Sequence, residues 1–235
     1  VITVAKFVAF GVTGSGAMLS EAIHTLADVM NQALLLLGVV RSRRKADVEH
    51  PHGYLRERFV WALISAVGIF FMGCGLTLYH GISSLFHPQE LKELGWAIGV
   101  LLVSLIIEGS VLNVAYRSLY AQKGEQDFFE FLRTRADPPE VAVLLEDFAA
   151  CLGLIIALVC IGLTQWTGQL WWDSVGSILI GLLLGVVAVL LIARNRELLI
   201  GQSAPADARQ RVREILLQRE AVKDIVDAQA EMIDM

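Results

Sequence analysis

Charge is scarce in this 235-residue chain: only 18% of its residues are Asp, Glu, Lys or Arg, where soluble chains carry about 25%. Cysteine is scarce too. The three Cys, none in a CxxC spacing, exclude a disulfide scaffold and read as small buried hydrophobes. A basic excess is missing: 19 Lys and Arg stand against 24 Asp and Glu, for a net charge of -5. That balance excludes the electrostatic footprint of a nucleic-acid binder. Apolar residues make up 55% of the chain, which excludes a disordered one.

The apolar residues are concentrated. Residues 59–89, 148–172 and 174–193 contain no charged side chain. A bilayer core about 30 Å thick needs about 20 apolar helical residues, and these runs are too long for buried strands. The pattern predicts an all-α polytopic membrane protein with spans at 18–40, 59–81, 94–116, 140–164 and 172–193. A further apolar stretch, VITVAKFVAFGV, precedes them. It is too short to cross and reads as the truncated first helix of a six-helix bundle, not as a signal peptide. Gly11, Gly14 and Gly16 mark the turn into the second helix.

The loops fix the orientation. Arg41, Arg43, Arg44, Lys45, Arg56 and Arg58 cluster in the loop 41–58, and Arg117, Lys123, Arg133 and Arg135 in the loop 117–139. Arg194 and Arg196 follow the last span. The intervening loops hold only Lys92, or no cation and three Trp (Trp166, Trp171, Trp172) suited to an interfacial belt. Both ends of the bundle therefore face the cytoplasm or its equivalent. Residues 1–200 read as the transmembrane domain. Residues 201–235 read as a short α/β segment of a cytoplasmic C-terminal domain: a helix with apolar Val212, Ile215 and Leu216, then a strand-like AVKDIVDAQAEMI. About 35 residues cannot bury a core alone, so this segment either stops early or leans on a partner.

Ionisable groups at membrane depth cost several kcal/mol and mark pathways or sites. They are Lys6, Glu21, His24, Asp28, Glu108, Glu146 and Asp147. Glu21, His24 and Asp28 fall on one helical face, which Asn31 continues. His24 and Asp28, four residues apart, can grip one cation. An imidazole with carboxylates suits Zn²⁺, and Mn²⁺, Fe²⁺ or Co²⁺ are also admitted. Asp147, with Glu146 or water, would complete the set from the fifth span. Each feature has a plainer reading. Polar membrane residues also hold bundles together, Glu21 also suits the start of its helix, and Lys6 also snorkels or pairs with an acid. Glu108 has no identifiable partner. The two His of DVEHPHGYLRER, at 50 and 52, read as part of a turn or as a metal mouth.

SGAMLSEAIHTLADVMNQ, with its HxxxD at His24 and Asp28, resembles the second-helix signature of the cation diffusion facilitator family. HPHGYLRER resembles the HPxGxxRxE loop that follows it, and WWDSVGSILIG, with Asp173, the start of the sixth helix. The family's fifth helix usually carries a second HxxxD or DxxxD. Here VAVLLEDFAACLG sets Asp147 on the second ligand position and Val143 on the first. This LLED variant is similar to the sub-branch of the ninth human zinc transporter, of a mitochondrial exporter type.

The resemblance implies a homodimer in the lipid bilayer that exchanges Zn²⁺ for H⁺ by alternating access, with no enzymatic activity. The membrane would be a bacterial inner membrane or a mitochondrial one. Metal binding to neutral His and ionised carboxylate releases protons, and a midplane site opened to each side in turn couples the fluxes. Two other readings stay open. One is a non-transporting metal sensor or partner protein, which Val143 favours. The other is an intramembrane zinc hydrolase, against which stand the lack of HExxH and of an obvious nucleophile.

Overall fold

A computed structural model describes residues 2–51, 53–87, 91–124, 126–134, 136, 138–200 and 206–218. The strand-like stretch at the C-terminus and His52 lie outside the described residues. The elements are α1 (Ile2–Thr13), α2 (Gly16–Ser42), α3 (Glu57–Gly68), a π-helical stretch (Ile69–Gly75), α4 (Leu76–Phe86), α5 (Leu94–Gln122), α6 (Phe128–Thr134), α7 (Pro138–Thr167), α8 (Trp171–Ile200) and α9 (Ala206–Leu217). The protein is all-α and polytopic. Among the described residues five segments are long and apolar enough to cross a membrane: 16–42, 57–86, 94–122, 140–167 and 171–197. They lie where hydropathy places the spans, and most run several residues longer. α1 is apolar but has only 12 residues.

The helices must meet without a hydrophobic driving force, since lipid is as apolar as Leu. Close approach of small residues supplies dispersion contacts instead. Ala17, Ala22, Ala66, Ala97, Ala149, Ala157 and Ala188 are buried at the contacts. Gly81 permits a close approach of α4 to α8: a Cβ there would stand 2.9 Å from Ile178 Cγ1 and 3.1 Å from the Ile178 backbone nitrogen. Outward faces stay apolar, with Phe71, Ile106, Val114 and Val186 exposed, as a lipid-facing surface requires.

Gly14, at φ 69°, turns the chain out of α1, a left-handed conformation that Gly adopts without steric cost. Ser15 then caps α2, its hydroxyl accepting from the Met18 N–H at 3.2 Å. Asp173, at the start of α8, adds a second cap from across the bundle. Ser15 Oγ donates to Asp173 Oδ1 at 2.5 Å, and the Gly16 and Ala17 N–H groups donate to its carboxylate at 2.6 and 3.3 Å. A buried carboxylate thus satisfies the orphan donors of a helix start that no water reaches.

The loop between α2 and α3 is a built turn. Asp47 accepts from the His50 and Glu49 N–H groups at 2.8 and 3.1 Å and from the Tyr54 hydroxyl at 2.7 Å. His50 lies against the Tyr54 ring, and the Arg44 guanidinium covers it at 4.7 Å. Gly53 takes φ 77°. The described residues of this loop form a turn, and His52, the second His of the metal reading, lies outside them.

Candidate metal site

α2 carries the main groups. The His24 ring is buried, at 4% exposure, with Nε2 3.5 Å from Asp28 Oδ2. That separation is long for a hydrogen bond, and neither His24 ring nitrogen has a hydrogen-bond partner among the described residues. Zinc sits about 2.0–2.2 Å from nitrogen and oxygen ligands, so two donors at the tetrahedral angle stand about 3.4 Å apart. The i, i+4 spacing therefore delivers the pair at the separation a shared ion asks for.

α7 brings the second acidic pair. Asp28, Glu146 and Asp147 lie within electrostatic range of one another. Asp147 Oδ2 is buried with no hydrogen-bond partner among the described residues. Glu146 is engaged differently. Asn31 Nδ2 donates to both its oxygens, at 2.8 and 2.7 Å, while Ser65 Oγ donates to Asn31 Oδ1 at 2.6 Å. Asn31, placed by sequence on the ligand face, thus acts as the link between α3 and α7. Among the described residues no three His, Cys, Asp or Glu side chains close on one point. The structure therefore joins His24 to Asp28 and leaves Asp147 and Glu146 nearby but outside ligand distance.

A cavity of about 190 Å³ opens beside Glu146 and Asn31. Val39, Arg58, Val143, Arg194 and Asn195 also line it. These residues belong to the half of the bundle whose loops carry the cations. Val143 lines this cavity and lies one helical turn from Asp147.

Glu21 and Glu108 depart from the expectations for them. Glu21 shares the helical face of His24 yet turns to Lys6, whose Nζ lies 3.2 Å from Glu21 Oε2. Glu108 has a partner after all: its Oε1 is 2.9 Å from the same Nζ. The Lys6 amine also donates to Thr25 Oγ1 at 2.7 Å. One amine therefore ties α1, α2 and α5. Lys6 thus pairs with acids, one of its two expected fates, and Asp173 lies in the motif expected at the start of the last span, but the sequence could not name the partners of either, because they lie far off in the chain.

Residues 1–200 match the family described as the cation efflux transmembrane domain. The chain is 45% identical over 227 residues to the proton-coupled zinc antiporter SLC30A9, mitochondrial, of Xenopus laevis, covering 96% of this chain and 41% of that protein. The Homo sapiens protein of that name is 44% identical over 96% of this chain and 40% of its own length. Metal tolerance protein C4 of Arabidopsis thaliana is 39% identical, over 97% of this chain and 50% of that protein. The chain thus spans about two fifths to one half of the length of these relatives. With the family match over its first 200 residues and this identity along nearly all its length, the chain belongs to the cation efflux, or cation diffusion facilitator, family.

Proposed function

We propose that this chain is the membrane part of a transporter that exchanges Zn²⁺ for H⁺ by alternating access. The observation that carries the reading is buried His24 with half-buried Asp28 3.5 Å away, neither His24 ring nitrogen having a hydrogen-bond partner among the described residues. Asp147 is the third ligand in this reading, and Glu146, released from Asn31, or water is the fourth. The set forms when α2 and α7 move together. The cavity at Glu146 is the route from the cation-rich side. Zinc binding requires neutral His24 and ionised carboxylates, so it expels protons, and acidity on the far side expels zinc. An imidazole in the set favours Zn²⁺ over harder ions. The relatives named as proton-coupled zinc antiporters support the same ion and the same exchange.

The protein works as a homodimer in this reading, in a mitochondrial membrane or a bacterial inner membrane. Residues from 201 onward open a cytoplasmic domain, whose helix α9 exposes Val212, Ile215 and Leu216. Light scattering of the purified protein tests the dimer. Zinc flux into proteoliposomes under an imposed pH gradient tests the exchange, with the native chain beside Asp28→Ala and Asp147→Ala. Flux in the native chain alone is expected. Zinc binding without flux in the native chain would replace the transporter by a sensor.

A further inference from the structure

Lys6 is fully buried, as is Glu21, and the Glu108 side chain is 18% exposed. The amine spends its three donors on Glu21 Oε2, Glu108 Oε1 and Thr25 Oγ1. The Thr25 hydroxyl in turn donates a hydrogen bond to the Glu21 backbone carbonyl at 3.0 Å. The outer oxygens, Glu21 Oε1 and Glu108 Oε2, are both buried and have no hydrogen-bond partner among the described residues. Glu21 Oε1 faces α7 at Gly153.

Charge makes this arrangement more than a brace. Two carboxylates against one ammonium leave one surplus negative charge in a region where a net charge is costly. One proton on the pair neutralises the cluster, and each unpartnered oxygen is a place for it. The cluster stands one helical turn from His24, with Thr25 adjacent to it in sequence. The titratable groups within electrostatic range of it are His24 and Asp28 from α2, and Asp147 and Cys151 from α7. A doubly charged ion at His24 and Asp28 would repel a proton held there.

We infer that the Lys6–Glu21–Glu108 cluster is a proton-binding site separate from the metal ligands, and that it carries one of the protons exchanged for the ion. The inference rests on the zinc/proton exchange proposed above. When zinc arrives, the carboxyl O–H bond breaks, its electron pair stays on oxygen, and the proton leaves the cluster for water. When zinc departs, the same carboxyl pair takes a proton back, and no electron is transferred. Lys6 keeps its charge throughout and fixes the number of protons at one.

The test counts protons released per zinc bound by the detergent-solubilised chain in weak buffer, using a pH indicator dye. Glu21→Gln and Glu108→Gln are each expected to release about one proton fewer per zinc than the native chain, because either change leaves a neutral amine–carboxylate pair. Glu108→Asp is expected to restore the native number. If one Gln variant fails to fold, the other decides. Native release by folded, zinc-binding Gln variants overturns this inference alone, with the exchange itself intact. A native chain that binds no zinc overturns both.

Discussion

The Ser15 hydroxyl donates to the Asp173 carboxylate at 2.5 Å across 158 residues of chain, so the helix that bears His24 and Asp28 is anchored at its start by the first turn of α8. The same carboxylate takes the Gly16 and Ala17 N–H groups. Removing it strands a hydroxyl and two backbone donors in a buried place. Asp173→Ala is therefore expected to cost about 2–4 kcal/mol, the scale of charged hydrogen bonds lost with their donors left unpaired. A lowered unfolding midpoint in detergent, with a smaller drop in Asp173→Asn, checks it.

Asn31 holds Glu146 by both carboxylate oxygens and is itself held by Ser65. If Glu146 closes on the ion, its support is an outer-shell partner, and such partners are worth about 10–100-fold in metal affinity. Asn31→Ala is expected to weaken zinc binding by that amount, and Asp28→Ala by more. Competition titration with a zinc chelator measures both. Unchanged affinity in Asn31→Ala would take Glu146 out of the ligand set.

Gly153 and Gly162 lie on the same helix and predict opposite results. A Cβ at Gly153 would meet Glu21 Oε1 at 2.6 Å, on a carboxylate already fixed by Lys6. Gly153→Ala is expected to destabilise by about 1–3 kcal/mol, as overpacking does. A Cβ at Gly162 meets nothing within 4 Å, and Gly162→Ala is expected to stabilise by about 0.5–1 kcal/mol through helix propensity. Paired thermal melts decide; equal shifts would mean that α2 and α7 do not approach as described.

The α2–α3 turn predicts a pH signature outside the membrane. The Tyr54 hydroxyl, and then the His50 N–H, hold the Asp47 carboxyl below the usual carboxylate range, while Asp47 holds the Tyr54 phenol above its usual range. A lowered carboxyl supports the turn at pH above its ordinary value and loses that support as pH falls through the lowered one. A raised phenol supports it below its ordinary value and loses support as pH rises through the raised one. Asp47→Ala is expected to bring Tyr54 ionisation back to lower pH in an ultraviolet titration. An unchanged titration would mean the bond does not persist in solution.

Much was legible in the sequence for physical reasons that are local. Uninterrupted apolar runs dictate helices of bilayer length, because unpaired backbone groups are intolerable in hydrocarbon. Loop Lys and Arg dictate the expected orientation. The i, i+4 spacing of His24 and Asp28 sets them side by side on any helix. What only the tertiary structure decided are the contacts between distant helices: Lys6 with Glu21 and Glu108, Asn31 with Glu146 and Ser65, and Asp173 with the start of α2. Helical periodicity puts Glu21 on the His24 face, but it cannot say which neighbouring helix supplies the opposite charge. That choice depends on how α1 and α5 lie against α2, and a buried carboxylate turns to whichever cation the packing brings within reach.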